Sequence, residues 1–319
     1  MIREALAAAS DAPGYPLTAG TPALRAAIAD WLARACHASG ELGVLPTIGS
    51  KELVAWLPTL LGVRPGDVVV IPSVCYPTYE VGGLLAGATV VRSDSLTALG
   101  PDPRVKLIWI NSPSNPTGKV LPVEHLRKVV AWARERGVTV VSDECYLPLG
   151  WAARPVSVLD DAVTGGDYTG VLAVHSLSKR SNLAGYRAGF VGGDPALVAG
   201  LLAVRKHAGM IVPAPVQAAM IAALGDETHV DRQRELYAAR RDTLRTALIK
   251  AGFEISHSEA GLYLWATRGE DGRRTVDGLA DKGILVAPGE FYGPAGAWHV
   301  RIALTATDER IAAAAARLT

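Results

Sequence analysis

Short, unbroken runs of β-branched and apolar residues, separated by amphipathic stretches, constrain this chain most. They fall at residues 68–71 (VVVI), 89–91 (TVV), 107–110 (LIWI), 138–141 (VTVV) and 171–174 (VLAV). Between the third and fourth, Leu126, Val129, Val130 and Trp132 recur at helical spacing within residues 122–136. Strands that are apolar on both faces and alternate with amphipathic helices require a sheet covered on both sides, so the spacing predicts an α/β fold. With 319 residues, 49% of them hydrophobic and 20% charged, the chain can bury a large core, and its length predicts about two domains. A long Arg-rich helix over residues 229–251 reads as a connector. Beyond it, strand-like segments at 261–266, 284–286 and 299–303 predict a small α+β unit. The expected division is 1–228 and 229–319.

Several functions are excluded early. A formal net charge of +1 offers no field for nucleic acid or an anionic membrane. Cys36, Cys75 and Cys145 form neither a disulfide framework nor a metal-ligand pattern, as expected of a reducing cytoplasm. Residues 1–12 begin with an Ala-rich amphipathic helix and show no signal peptide, and no apolar run reaches membrane-spanning length.

The strands end in chemically specific residues: Asn111, Ser142-Asp143 and His175-Ser176. Open α/β sheets bind ligands beyond these carboxyl ends. In His175-Ser176-Leu177-Ser178-Lys179, a lysine follows an apolar strand among hydroxyl residues, and Arg187 lies eight residues on. Lysine forms imines with aldehydes, and serine with arginine can hold a phosphate. The bland alternative is a solvated loop lysine beside a surface arginine. Asn111-Ser112-Pro113-Ser114-Asn115-Pro116-Thr117-Gly118 is a turn by local chemistry, and Asn115 can also present its amide to a ligand. Asp143-Glu144-Cys145-Tyr146 places an acid at a buried strand end, which is costly unless paired; the plainer reading is a helix N-cap.

These three segments, in this order and at these separations, resemble the class I and II aminotransferases, whose fold type I architecture carries pyridoxal 5'-phosphate. The resemblance covers nearly the whole chain. It implies that Lys179 carries the cofactor as a Schiff base and moves the proton. Asp143 would partner the pyridinium nitrogen, Asn115 and Tyr146 the ring 3-oxygen, and Ser176, Ser178 and Arg187 the phosphate. Gly49-Ser50-Lys51 opens an apolar helical pattern, and helix N-termini bind phosphate. Tyr76 resembles the aromatic that stacks on the cofactor ring, with Tyr79 assigned to packing. Tyr15 resembles a tyrosine that reaches the neighbouring subunit's cofactor, which implies a homodimer. Arg301 resembles the clamp for the substrate α-carboxylate, a role that a planar guanidinium suits and lysine does not.

Further segments around Ile48–Leu53, residues 202–210 and residues 287–293 resemble the actinobacterial succinyldiaminopimelate aminotransferases of lysine biosynthesis. That resemblance implies an N-succinylated diamino acid and 2-oxoglutarate as substrates, with Arg205 and Lys206 as candidate anchors for distal carboxylates. Members usually carry an N-terminal arm ahead of the first helix, and this sequence begins at that helix. Other expectations stay open: an alanine or aspartate aminotransferase, a carbon–sulfur lyase, or a non-catalytic cofactor-binding protein.

Overall fold

The computed structural model describes residues 1–318. Its main sheet contains β1 (Gly43–Ile48), β2 (Val68–Ile71), β3 (Thr89–Arg92), β4 (Val105–Asn111), β5 (Thr139–Asp143), β6 (Val171–Ser176) and β7 (Ala188–Gly193). The strand order is β1-β7-β6-β5-β4-β2-β3, and β7 runs antiparallel to both its neighbours while the remaining pairs are parallel.

Strand alternation sorts the core into two layers. Val68, Val70, Ile108, Ile110, Val140 and Ala173 face one side, where helices Pro22–Cys36 and Val123–Arg134 cover them. Val69, Ile71, Leu107, Trp109, Val141, Leu172 and Val174 face the other, beneath helix Gly49–Leu60 with Leu53, Val54 and Leu57. This is the α/β layering expected from the uninterrupted apolar runs.

Helix Thr228–Lys250 leads to a second, antiparallel sheet. It contains β8 (Glu254–Ser256), β9 (Tyr263–Thr267), β10 (Ala287–Pro288) and β11 (Val300–Ala303) in the order β10-β11-β9-β8. The expected strand at 284–286 is not formed: these residues have no ladder partners, Leu285 is exposed, and pairing starts at Ala287. The second sheet is held against the first at the 111–118 turn. There the Ser258 N–H donates to the Thr117 carbonyl, and the Glu259 and Ala260 N–H groups donate to the Gly118 carbonyl. No described helix is long and apolar enough to cross a membrane.

Candidate active site

Asn111, Asp143 and Ser176 are the last residues of β4, β5 and β6. They share the parity of Trp109, Val141 and Val174, so the pleat sends all three toward the same layer. Glu144 and His175 have the opposite parity and lie on the back of the sheet. Period-2 geometry thus separates polar neighbours in sequence into a cleft set and a buried set.

The cleft is lined by Ser50, Lys51, Tyr76, Asn115, Asp143, Cys145, Tyr146, Ser176, Ser178, Lys179, Ala184, Arg187, Tyr263 and Arg301. The same-chain cofactor residues expected from sequence and Arg301 are therefore brought together, with Gly49 directly behind them. Lys51, Lys179, Arg187 and Arg301 against the single carboxylate of Asp143 leave a formal excess of three positive charges. A cleft of that sign is built for anions.

One anion subsite forms where β1 meets β7. Their register sets Ile48 against Ala188, which brings the N-terminus of helix Gly49–Leu60 to Arg187. Gly49 has φ of 72°, and a Cβ there would lie 2.3 Å from Arg187 Nη2. The glycine leaves room for a guanidinium directly over free helical N–H groups. A cation at a helix N-terminus is repelled by the dipole unless an anion lies between them. Ser176 and Ser178 border the same space, and the Ser178 N–H donates to Ser176 Oγ at 3.1 Å.

Asp143 is held from two sides. Tyr79 Oη donates to Oδ2 at 2.7 Å, and the Cys145 N–H donates to Oδ1 at 3.2 Å. Burial pushes its carboxyl above the ordinary range, while the bonds from Cys145 and Tyr79 pull it back. A buried carboxylate in this state gains from a cation placed against it. The plainer reading, a helix N-cap, does not hold: residues 145–148 form a turn. Asn111 fixes the surroundings through its side chain. Nδ2 donates to the Asp143 carbonyl at 2.8 Å and to the Pro113 carbonyl at 3.1 Å, and Oδ1 accepts from the Asn115 N–H at 2.7 Å.

Arg301 enters from β11, where it pairs with Trp265 of β9. Its Nη1 donates to Asn115 Oδ1 at 3.0 Å, and its guanidinium carbon lies 3.9 Å from the Tyr263 ring centre and 5.0 Å from that of Tyr292. Arg301 Nε is buried without a hydrogen-bond partner among the described residues. An arginine in this position has donors left for a carboxylate.

Behind the sheet, Glu144 Oε1 accepts from the Val158 N–H at 2.6 Å, and Oε2 lies 3.5 Å from His175 Nε2. Burial raises the Glu144 carboxyl to about 7 and lowers the His175 imidazole to about 3. Between about pH 3 and 7 the pair is therefore a neutral acid beside a neutral imidazole. Trp31 and Phe190 enclose the ring, and Cys36 Sγ is 4.0 Å from Nε2.

Two sequence expectations change. Arg205 is fully buried and makes a bidentate pair with Glu52, at 2.9 and 2.8 Å, so it faces helix Gly49–Leu60 and anchors no substrate. Lys206 is exposed and lies outside the cleft lining. Tyr79 does pack, stacked on Trp109 at 4.8 Å, but its hydroxyl also holds Asp143. Cys145, Ala184 and Tyr263 also line the cleft and were not singled out from sequence. Tyr15 is 99% exposed and is not among the lining residues of its own chain.

A deep carboxylate, a lysine, and an arginine over a helix N-terminus at the ends of parallel strands define a phosphate-bearing cofactor site. The chain belongs to the class I and II aminotransferases, whose family model matches residues 1–318. It is similar to a probable aminotransferase of Mycobacterium tuberculosis, 65% identical over all of this chain and 77% of the relative. It is also similar to the 4-dedimethylamino-4-oxo-anhydrotetracycline transaminase OxyQ of Streptomyces rimosus, 63% identical over all of this chain and 89% of that protein. Among solved structures, the probable N-succinyldiaminopimelate aminotransferase of Thermus thermophilus superimposes with a TM-score of 0.90 at 29% identity, covering 99% of this chain and 89% of that one. The fold is that of the fold type I pyridoxal-phosphate enzymes, and the protein is a pyridoxal-phosphate-dependent aminotransferase. The donor set fits that cofactor: the helix N-terminus, Arg187 and the serines match its phosphate, and Asp143 matches its ring nitrogen.

Proposed function

We propose that the chain transfers the amino group of N-succinyl-LL-2,6-diaminopimelate to 2-oxoglutarate, working as a homodimer. The observation that carries the transamination reading is Arg301, which lines the same cleft as Lys179 and has no carboxylate partner among the described residues. Distal carboxylates of the substrate suit the positive excess of the cleft. The finer choice of substrate is supported by the Thermus structure and by LL-diaminopimelate aminotransferases such as that of Desulforudis audaxviator, 36% identical over 95% of this chain and 81% of that protein.

Bound pyridoxal phosphate supplies an electron sink for the substrate α-carbon. Lys179 would tether it, and its amine would take and return the α-proton as general base and acid. Asp143 keeps the ring nitrogen protonated. Asn115 and Tyr146 hold the ring 3-oxygen, and Tyr76 covers the ring face. Gly49, Ser50, Lys51, Ser176, Ser178 and Arg187 hold the phosphate, joined by Tyr15 from the neighbouring subunit. Residues 1–228 carry the cofactor, and 229–319 bring Arg301 to it.

A second reading rests on the 63% identity to OxyQ: the amino acceptor would be a tetracycline-type ketone. The protein loaded with cofactor should change its absorbance on adding glutamate and recover it on adding the acceptor. Recovery with the 2-oxo form of N-succinyl-diaminopimelate supports the first reading. Recovery only with the 4-oxo-anhydrotetracycline replaces it with the second.

A further inference from the structure

We propose that Tyr263 positions both halves of this site, its ring holding the carboxylate-binding Arg301 and its hydroxyl orienting Tyr146. The inference rests on the roles just proposed for Arg301 and Tyr146.

The ring contribution follows from the second sheet. Arg301 pairs directly with Trp265, so Tyr263 is its diagonal neighbour two residues along β9 on the same face. Long and aromatic side chains reach each other across that diagonal. The guanidinium lies 3.9 Å from the Tyr263 ring centre, with Tyr292 at 5.0 Å. A flexible arginine caught by two rings loses rotamers before substrate arrives, and stacking leaves its in-plane N–H donors free. An aspartate or glutamate partner would have held the same arginine but used the donors needed for substrate.

The hydroxyl contribution follows from proton counting. Tyr146 Oη and Tyr263 Oη are 3.2 Å apart, both rings are buried, and the rings meet edge to face at 5.8 Å. A phenol has one proton to donate. If Tyr146 donates its hydrogen bond to the cofactor 3-oxygen, the bond between the tyrosines must be donated by Tyr263. Donation into Tyr146 polarises its O–H and strengthens what it gives onward. A single residue thereby links substrate anchoring to the cofactor's electronic state.

Two substitutions separate these contributions. Tyr263→Phe keeps the ring and removes the hydroxyl; Tyr263→Leu removes both. 2-Oxoglutarate binding is measured by calorimetry on the protein carrying the amino form of the cofactor, and the pH midpoint of the bound cofactor's absorbance is measured by titration. Tyr263→Phe should bind 2-oxoglutarate within about 2-fold of the parent, while its absorbance midpoint rises by roughly 0.3 to 1 pH unit. Tyr263→Leu should weaken 2-oxoglutarate roughly 3- to 30-fold. Parent-like binding by Tyr263→Leu overturns the ring contribution, and an unchanged midpoint in Tyr263→Phe overturns the hydroxyl contribution. Arg301→Lys tests the underlying reading separately. If it too binds 2-oxoglutarate like the parent, the carboxylate assignment itself fails; if only it loses binding, Tyr263 alone is misassigned.

Discussion

Gly49→Ala offers a test in which two costs at one residue can be separated. The residue has φ of 72°, a left-handed conformation that costs a side-chain-bearing residue about 1–2 kcal/mol. Its added Cβ would also lie 2.3 Å from Arg187 Nη2 and 2.7 Å from Cζ. A guanidinium at the end of a flexible side chain can move aside, so this second cost falls on ligand binding rather than on folding. Gly62, just beyond the other end of the same helix, is the matched control: its φ is 79° and nothing lies within 4 Å of a Cβ there. Both alanine variants should lose a similar 1–2 kcal/mol in urea unfolding of the cofactor-free protein. Only Gly49→Ala should weaken pyridoxal phosphate, by about 10- to 100-fold, the value of a hydrogen bond to a charged group. Fluorescence titration of both proteins with the cofactor reads the difference. Adding Gly49→Ala to Arg187→Ala should then cost little more affinity, because the displaced group is already gone. Equal cofactor affinity in the two alanine variants refutes the reasoning.

Lys179→Ala should abolish the glutamate-dependent absorbance change and lower turnover by at least about 10²- to 10⁴-fold, measured in single turnovers. Tyr79→Phe keeps the stack on Trp109 but removes a donor that lowers the Asp143 carboxyl. The group that must be ionised then titrates higher, so the acid limb of kcat/KM should move up by at most about 1 pH unit, with the basic limb unchanged. Arg205→Ala strands Glu52 and should cost about 3 kcal/mol in urea unfolding, while KM for glutamate stays within about 2-fold of the parent.

Much of this site was legible because its residues lie at strand ends. Asn111, Asp143 and Ser176 close apolar runs, so strand alternation alone places them together at one edge of the sheet. Arg301 was legible as a charge in an otherwise apolar strand. Tyr79 was half legible: the resemblance put Tyr76 on the ring and left Tyr79 to packing, but its bond to Asp143 joins elements 64 residues apart. Tyr263 gave no local signal, since its neighbours matter only once β9 pairs with β11. Arg205 misled because charge was read without partners, and Glu52 lies 153 residues away. The 284–286 run has the composition of a strand, but composition does not supply a neighbour to pair with.

The buried pair behind the sheet has a consequence for how acid reaches the fold. In the unfolded chain, Glu144 titrates near 4.5 and His175 near 6.5; folding moves them to about 7 and about 3. Between pH 4.5 and 6.5 each state of the pair therefore holds one proton, on the imidazole when unfolded and on the carboxyl when folded. Folding relocates that proton without net uptake or release, so the pair adds no slope to stability across this window. Below it the unfolded chain gains a second proton that the folded one refuses until about pH 3, and stability falls with acid. Above it the folded carboxyl keeps its proton to about 7 after the unfolded imidazole has lost its own, and stability falls as pH rises. Glu144→Gln leaves the histidine alone. Its stability relative to the parent should then climb by about 1.4 kcal/mol per pH unit from 4.5 to 6.5, a slope that urea unfolding at three pH values would resolve. A proton that changes owner instead of leaving lets two ionisable groups enter the core as neutral ones.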